Sequence, residues 1–323
     1  MSDMTPTRTA LADIVTSLTL PVVAAPMTRV SGPEIVGAAC TAGIIGSIPA
    51  HNAPSTAHLD TLLTDLEAEL GERSRLVMPN IVVHRSNRRL AADIECLAAH
   101  RIGAVIASVG APDVIIEPLQ RAGIAVLADV ATMRHAQRAA RAGVDGLVLL
   151  TAGAGGQTGT ANPFAFVRAV RQQFDGVVAL AGGIADGRSI LAAQVAGADL
   201  AYLGTRFLAT RESRADADYQ AAVVNADLDD VRLTTAVSGL RSSVLATWIE
   251  EHFDDNSGRS ASTGFSHDVL TSTEPFAWSA GHAVAAVTAI TGLAVVVDTL
   301  RAEYQRAADE TRAFLTHSLP STV

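Results

Sequence analysis

Four short stretches carry residues whose types and spacing suit chemistry. The longest runs from Leu149 to Thr160, LLTAGAGGQTGT, where Gly153, Gly155, Gly156 and Gly159 strip side chains from a turn. Bare backbone N–H groups can then approach a flat or anionic ligand closely. The second stretch, Ala181 to Gly187 (AGGIADG), and the third, Leu203 to Phe207 (LGTRF), add further amides, a helix N-terminus near Arg188 and the Thr205 hydroxyl. Such a set suits one phosphate. In the fourth, Ala25-Pro26-Met27, a cis or kinked Pro26 followed by Met27 gives a small apolar platform with free amides for a planar ring. Asn80, in MPNIVVH, is a neutral polar group placed to hydrogen-bond that ring or a substrate. Each stretch alone fits an ordinary surface loop or strand–helix turn equally well; their joint placement makes the case.

Proton-transfer groups are sparse. His51, His84 and His135 each follow a predicted strand, and His282 lies in the segment WSAGH, so any of them could reach a common mouth and titrate there. The alternative for each is a solvated loop histidine, or helix packing for His282. All 24 basic residues are arginines. Without a lysine, Schiff-base chemistry and a Walker-type phosphate lysine are excluded. There is no GxSxG elbow for acyl transfer and no histidine pair with an acid at ligand spacing, so neither a serine hydrolase nor a metal centre is expected. Cys40 and Cys96 stand apart in alanine-rich helical stretches and read as reduced, inert thiols.

The elements that must position these residues follow a regular beat. From Leu20 a short apolar run, a Gly- or Pro-containing turn and an amphipathic stretch recur, which implies parallel strands joined by crossover helices. The predicted strands are residues 20–25, 44–48, 76–83, 103–108, 124–129, 146–150, 177–181 and 199–203. Helices between them start near Pro33, Ser55, Ser86, Pro112, Thr132, Pro163 and Gly187, with Gly143 and Gly197 as left-handed C-terminal caps. A doubly wound sheet uses the same alternation. Eight strands, with glycine-rich turns collected after the sixth, seventh and eighth, favour a TIM (β/α)8 barrel. No GxGxxG follows the first strand, as a dinucleotide sheet would require.

Residues 1–205 are expected to form the barrel core. Residues 206–323 are expected to supply the last barrel helix, a helical cap and a C-terminal helix, with helices at Glu212 to Asp227, Ser238 to Glu251 and Ala294 to Phe314. The polar stretch from Asp254 to Ser266 reads as a solvated loop rather than a lid. Pro275 to Val297 lacks Asp, Glu, Lys and Arg, but its Ser, Thr, Gly and His content marks a turn and a buried helix, not a membrane span. The chain of 323 residues is 49% hydrophobic and 18% charged, with a net charge of −9. That balance describes a globular protein and argues against nucleic acid as a partner. The N-terminus lacks a signal-peptide pattern and a cytoplasmic setting is expected. Apolar positions on the cap helices could support a homodimer.

Taken together and in this order, AAPM, the glycine loop, AGGIADG, LGTRF and Trp278-Ser-Ala-Gly-His resemble the nitronate monooxygenases, formerly called 2-nitropropane dioxygenases, whose relatives include flavin-dependent enoyl-acyl-carrier-protein reductases. The resemblance covers most of the chain. It implies an FMN-binding barrel in which Ala25, Pro26, Met27, Asn80, Gly153, Gly156, Gly159, Gly182, Gly183, Gly204 and Thr205 match the flavin-binding motifs. It also implies an alkyl nitronate or similar small anion as substrate and O2 as the oxidant. One position departs. Where the family usually carries GGHxG, with histidine as base or polar partner, this chain has Gln157. An amide has no useful proton affinity near neutral pH, so Gln157 can orient an anion but cannot deprotonate a carbon acid. Three alternatives stay open: an NAD(P)H-dependent flavin reductase, a flavin-binding barrel that has lost catalysis, and an isomerase or lyase barrel with a phosphorylated substrate.

Overall fold

A computed structural model describes residues 5–252, 265–272 and 276–318. Its strands are β1 (Val22–Ala24), β2 (Ile45–Gly46), β3 (Asn80–Val82), β4 (Ala104–Ser108), β5 (Ala125–Val130), β6 (Gly146–Leu150), β7 (Gly156–Gln157), β8 (Val177–Ala181), β9 (Leu200–Leu203), β10 (Val231–Thr234) and β11 (Ser242–Leu245). Eight of them form one parallel sheet in the order β2-β1-β9-β8-β6-β5-β4-β3. Parallel bridges from Gly46 to Val77 and from Pro49 to Asn80 join its two edges, so the sheet closes into the expected (β/α)8 barrel. Continuous runs of Val, Ile, Leu and Ala make these strands because both faces are covered, the inner by the barrel interior and the outer by helices.

The surrounding helices start where their capping chemistry places them. Ser55, Thr132 and Asn162 accept N–H groups of the first turn through their side chains, and Gly143 and Gly197 end two helices at φ 96° and 114°. One start differs. The helix expected near Ser86 begins at Leu90, because the Ser86 hydroxyl is engaged by His84 Nδ1 and by the N–H of His267 instead of capping a helix. An unanticipated helix, Pro6–Ser17, buries Leu11 and Ile14. Thr7 Oγ1 donates to Asp145 Oδ1 at 2.8 Å just before β6, which places this helix across the floor at the N-terminal ends of the strands.

Beyond β9 the chain departs further from the helical pattern read from the sequence. Glu212 to Asp227 shortens to a helix at Ala217–Asn225. Ser238 to Glu251 divides into β11 and a helix at Ala246–His252, and β11 lies between β10 and β7 in a small antiparallel sheet. The SSVL run is apolar enough to pair on both edges, and the helical reading missed the partner strand at Val231–Thr234. The segment before Leu293 is extended, with Ser279 bridged to Val244 and a single 3-10 turn at His282–Ala286. The final helix, Leu293–Ser318, packs between the helices Gly187–Ala196 and Pro33–Thr41, which is the eighth helix's place in the ring. Residues 206–292 therefore stand between the eighth barrel strand and the eighth barrel helix. The Asp254 to Ser266 loop lies almost wholly outside the described residues. No helix among the described residues is long and apolar enough to cross a membrane.

Candidate active site at the barrel mouth

The C-terminal ends of the strands open into a cavity of about 790 Å³. Ala25, Pro26, Met27, Asn80, Gly153, Gly156, Gln157, Gly182, Gly183, Gly204 and Thr205 all line it. Gly159 does not: a Cβ there would lie 2.2 Å from the Leu150 carbonyl oxygen, so this glycine lets the loop pack down on the barrel rim. Two non-glycine residues with left-handed backbone, Arg29 at φ 60° and Val109 at φ 50°, also line the cavity. For a β-branched residue that conformation is costly, and such strain concentrates at ligand sites.

After β8 and β9 the cradle is formed by backbone. Gly182 and Gly183 have φ 129° and 68°, and a Cβ on Gly183 would meet nothing within 4 Å, so this turn faces open space. A Cβ on Gly182, in contrast, would lie 2.3 Å from Thr151 Oγ1, fixing the turn against β6. Thr205 Oγ1 accepts the Gly281 N–H at 2.9 Å, which leaves its own O–H to donate. Two sequence expectations need correction here. The helix that opens after AGGIADG does not offer its N-terminus: Asp186 caps it together with Ser189, and the Gly187 N–H donates to Glu303 Oε2. The platform at Ala25 to Met27 supplies apolar surface without free amides. Ala25 N–H donates to Leu203 O and Met27 N–H to Ser31 Oγ, and no peptide bond among the described residues is cis.

Gln157 sits on β7 rather than in a free loop, paired with Ser242 of β11, and its half-buried side chain borders the cavity. Asn80 is buried; its amide nitrogen donates to Ile106 O and its Oδ1 accepts from Ser108 Oγ, leaving one N–H over. Of the four histidines singled out, His51 alone lines the cavity. Burial pushes it down to about 3, with repulsion from His267 and Arg89 adding to this, so it is neutral and a poor base. His84 bonds Ser86, His135 is exposed on a helix, and His282 packs beside Gly153, its N–H donating to the Gly153 carbonyl. Burial raises both thiols, Cys40 to about 12 and Cys96 to about 11, as inert cysteines require. Ligand atoms of Asp60, Cys96 and His100 lie within 4.8 Å of one another outside the barrel, His100 in the turn after the helix Leu90–Ala98, where it already bonds Asp60 and Glu67.

Two features escaped the sequence reading. Asp129 and Tyr202 enter the cavity floor from β5 and β9; a charged residue inside the apolar run AVLADV was the available signal. The outer wall is made by the segment after β9, where Val237, Leu240, Trp248, Phe265 and Phe276 give an apolar patch beside the polar Ser238, His252 and Asp268. These apolar positions come from separate loops and the helix Ala246–His252, so periodicity within any one element could not assemble them.

The sequence profile of nitronate monooxygenases matches residues 8–290. The chain belongs to this family. It is therefore an oxidoreductase of a flavin-dependent family. A nitronate monooxygenase of Paraburkholderia phytofirmans is 30% identical over 291 residues, covering 74% of this chain and 76% of the relative. The "(3aS,4S,5R,7aS)-5-hydroxy-7a-methyl-1-oxo-octahydro-1H-indene-4-carboxyl-CoA dehydrogenase" of Rhodococcus jostii is 29% identical over 252 residues, covering 76% of this chain and 67% of the relative. Among solved structures, a nitroalkane oxidase from Streptomyces ansochromogenes superposes with a TM-score of 0.81 at 26% identity, covering 93% of this chain and 99% of that one.

Proposed function

We propose that this nitronate monooxygenase family member binds FMN across the barrel mouth and oxidises alkyl nitronates with O2. The observation that carries the reading is the meeting of the turns after β6, β8 and β9 with Ala25 to Met27 around one cavity. Gly182, Gly183, Gly204 and Thr205 would hold the phosphate, and Ala25, Pro26 and Met27 would pack against the ring. Asn80 would hydrogen-bond the ring through its spare N–H. FMN, when bound, supplies the electron transfer between substrate and O2. The chain's own part is to bind, orient and keep water out. Gln157 would orient the nitronate through its amide, and since that substrate is already an anion no general base is needed. Functionally the chain divides at residue 205, the barrel core holding the cofactor and the following residues supplying its cover and the last barrel helix.

A second reading is favoured by the apolar patch. A pocket edged by Val237, Leu240, Trp248, Phe265 and Phe276 suits a substrate with a bulky apolar body better than a small nitronate, and one relative is a carboxyl-CoA dehydrogenase. Anaerobic photometry separates the two. An alkyl nitronate that bleaches the flavin, reversed on admitting air, supports the first. Bleaching by reduced nicotinamide followed by recovery with an enoyl thioester supports the reductase. Bleaching by none of these, in the parent and in Gln157→His alike, would leave a binding barrel without catalysis.

A further inference from the structure

The floor of the barrel mouth is ringed by Val82, Ser108, Asp129, Leu150, Ala181 and Tyr202, one from each of β3, β4, β5, β6, β8 and β9. Most of this ring is apolar or neutral. Asp129 is its only carboxyl; the residue is half-buried and lines the cavity, and its Oδ1 is closed off from solvent with no hydrogen-bond partner. The gap is unusual, because a buried carboxyl oxygen without a donor normally costs free energy and is retained for a reason. From β4 the neighbour is Ser108, whose hydroxyl is directed to Asn80 Oδ1 and the Ile81 carbonyl. From β6 it is Val148, paired with Asp129 in register. From β9 it is the Tyr202 phenol, whose ionisation is opposed by burial and then by Asp129. The other ionisable side chains of the cavity, Arg29, His51, Tyr219, His252 and Asp268, come from the rim and cap.

We propose that Asp129 is a cofactor-facing proton switch: its carboxyl, held in the acid form, donates a hydrogen bond to an acceptor atom of the flavin ring laid over the floor, and loss of that proton weakens cofactor binding. The inference rests on the FMN reading above. It is consistent with the acid's environment, since burial alone raises Asp129 to about 7. Below that pH the group is a donor matched to the carbonyl and imine acceptors that a flavin ring presents. Above it, an unpaired carboxylate opposes the same lone pairs. With no lysine in the chain, this acid is the group of the floor ring that can place either a proton or a charge against the flavin near neutral pH.

The test is titration of flavin-stripped protein with FMN, followed by quenching of flavin fluorescence, between pH 7 and 8.5. The dissociation constant should rise roughly tenfold over that range, as expected when only the protonated form binds well. Asp129→Asn, which donates at every pH, should remove the rise. Tyr202→Phe should keep it. A rise that survives in Asp129→Asn, or a parent protein whose affinity does not change, overturns the proposal while leaving the cofactor assignment intact. No FMN binding at any pH overturns the cofactor assignment itself. Should Asp129→Asn fail to fold, the carboxyl carbon shift of Asp129 in labelled parent protein decides. An apparent pKa that climbs when FMN is added supports the switch, and one that stays or falls refutes it.

Discussion

Gln157 and Asp129 set opposite limits on what the site can do with a proton. Gln157 replaces the family's usual histidine by a group that holds an anion but takes no proton. Gln157→His should therefore raise turnover of a neutral nitroalkane by roughly tenfold or more above pH 6.5, with little change for the nitronate. Steady-state rates on both substrates check this, and an equal gain on both would contradict it. Two half-buried ionisable groups of the cavity also shape stability. Asp129 titrates near 7 when folded, against ~3.9 unfolded, so its contribution is lost as pH rises from about 4 to 7. His51 is depressed to about 3, so its contribution is present above ~6.5 and is lost as pH falls toward 3. Thermal melts should show Asp129→Asn raising the midpoint at pH 8 and leaving it unchanged at pH 4. His51→Gln should flatten the acid limb below pH 6.5.

Among the elements, the glycine loop and the extended segment before the last helix meet backbone to backbone. A Cβ on Gly281 would lie 2.3 Å from Gly153 O and 2.6 Å from Gly155 N, both backbone atoms that cannot swing aside. Gly281→Ala should cost about 1–3 kcal/mol through overpacking and should shift the loop that carries Gln157. A melting curve with unchanged midpoint would disprove the close packing. Thr205→Ala removes one donor from the cradle after β9 and should weaken FMN about fivefold, near 1 kcal/mol, measured by the same fluorescence titration. Much of this arrangement could be read from sequence. All eight barrel strands were legible because parallel strands covered on both faces are short unbroken apolar runs, and Gly143 and Gly197 announced their helix ends. Gln157 was legible as a site residue, but not as part of a strand, since β7 exists only through pairing with β11. That partner was hidden in turn, because SSVL followed by ATWIEEH satisfies a helical pattern until the antiparallel neighbour at Val231–Thr234 is known. The helix N-terminus near Arg188 misled for a related reason: the sequence does not show that Asp186 and Ser189 cap it or that the distant Glu303 takes the Gly187 N–H.

For the whole molecule, the ordering of the chain explains how a common barrel acquires a closed mouth. Residues 206–292 are spliced between the eighth strand and the eighth helix, so the segment that roofs the cavity is anchored at both ends in the barrel ring. The roof brings β11 to the glycine loop, Gly281 to Thr205 and an apolar patch to the open side of the cavity. On the proposed reading, water exclusion and cofactor contact would depend on the same few loops. The most direct measurement of the central claim is the visible absorption spectrum of freshly purified protein, with the released chromophore identified by mass. The account predicts flavin bands near about 370 and 450 nm and release of FMN. Colourless protein that gains no such bands on incubation with FMN, or protein that releases a different phosphorylated ligand, would contradict it.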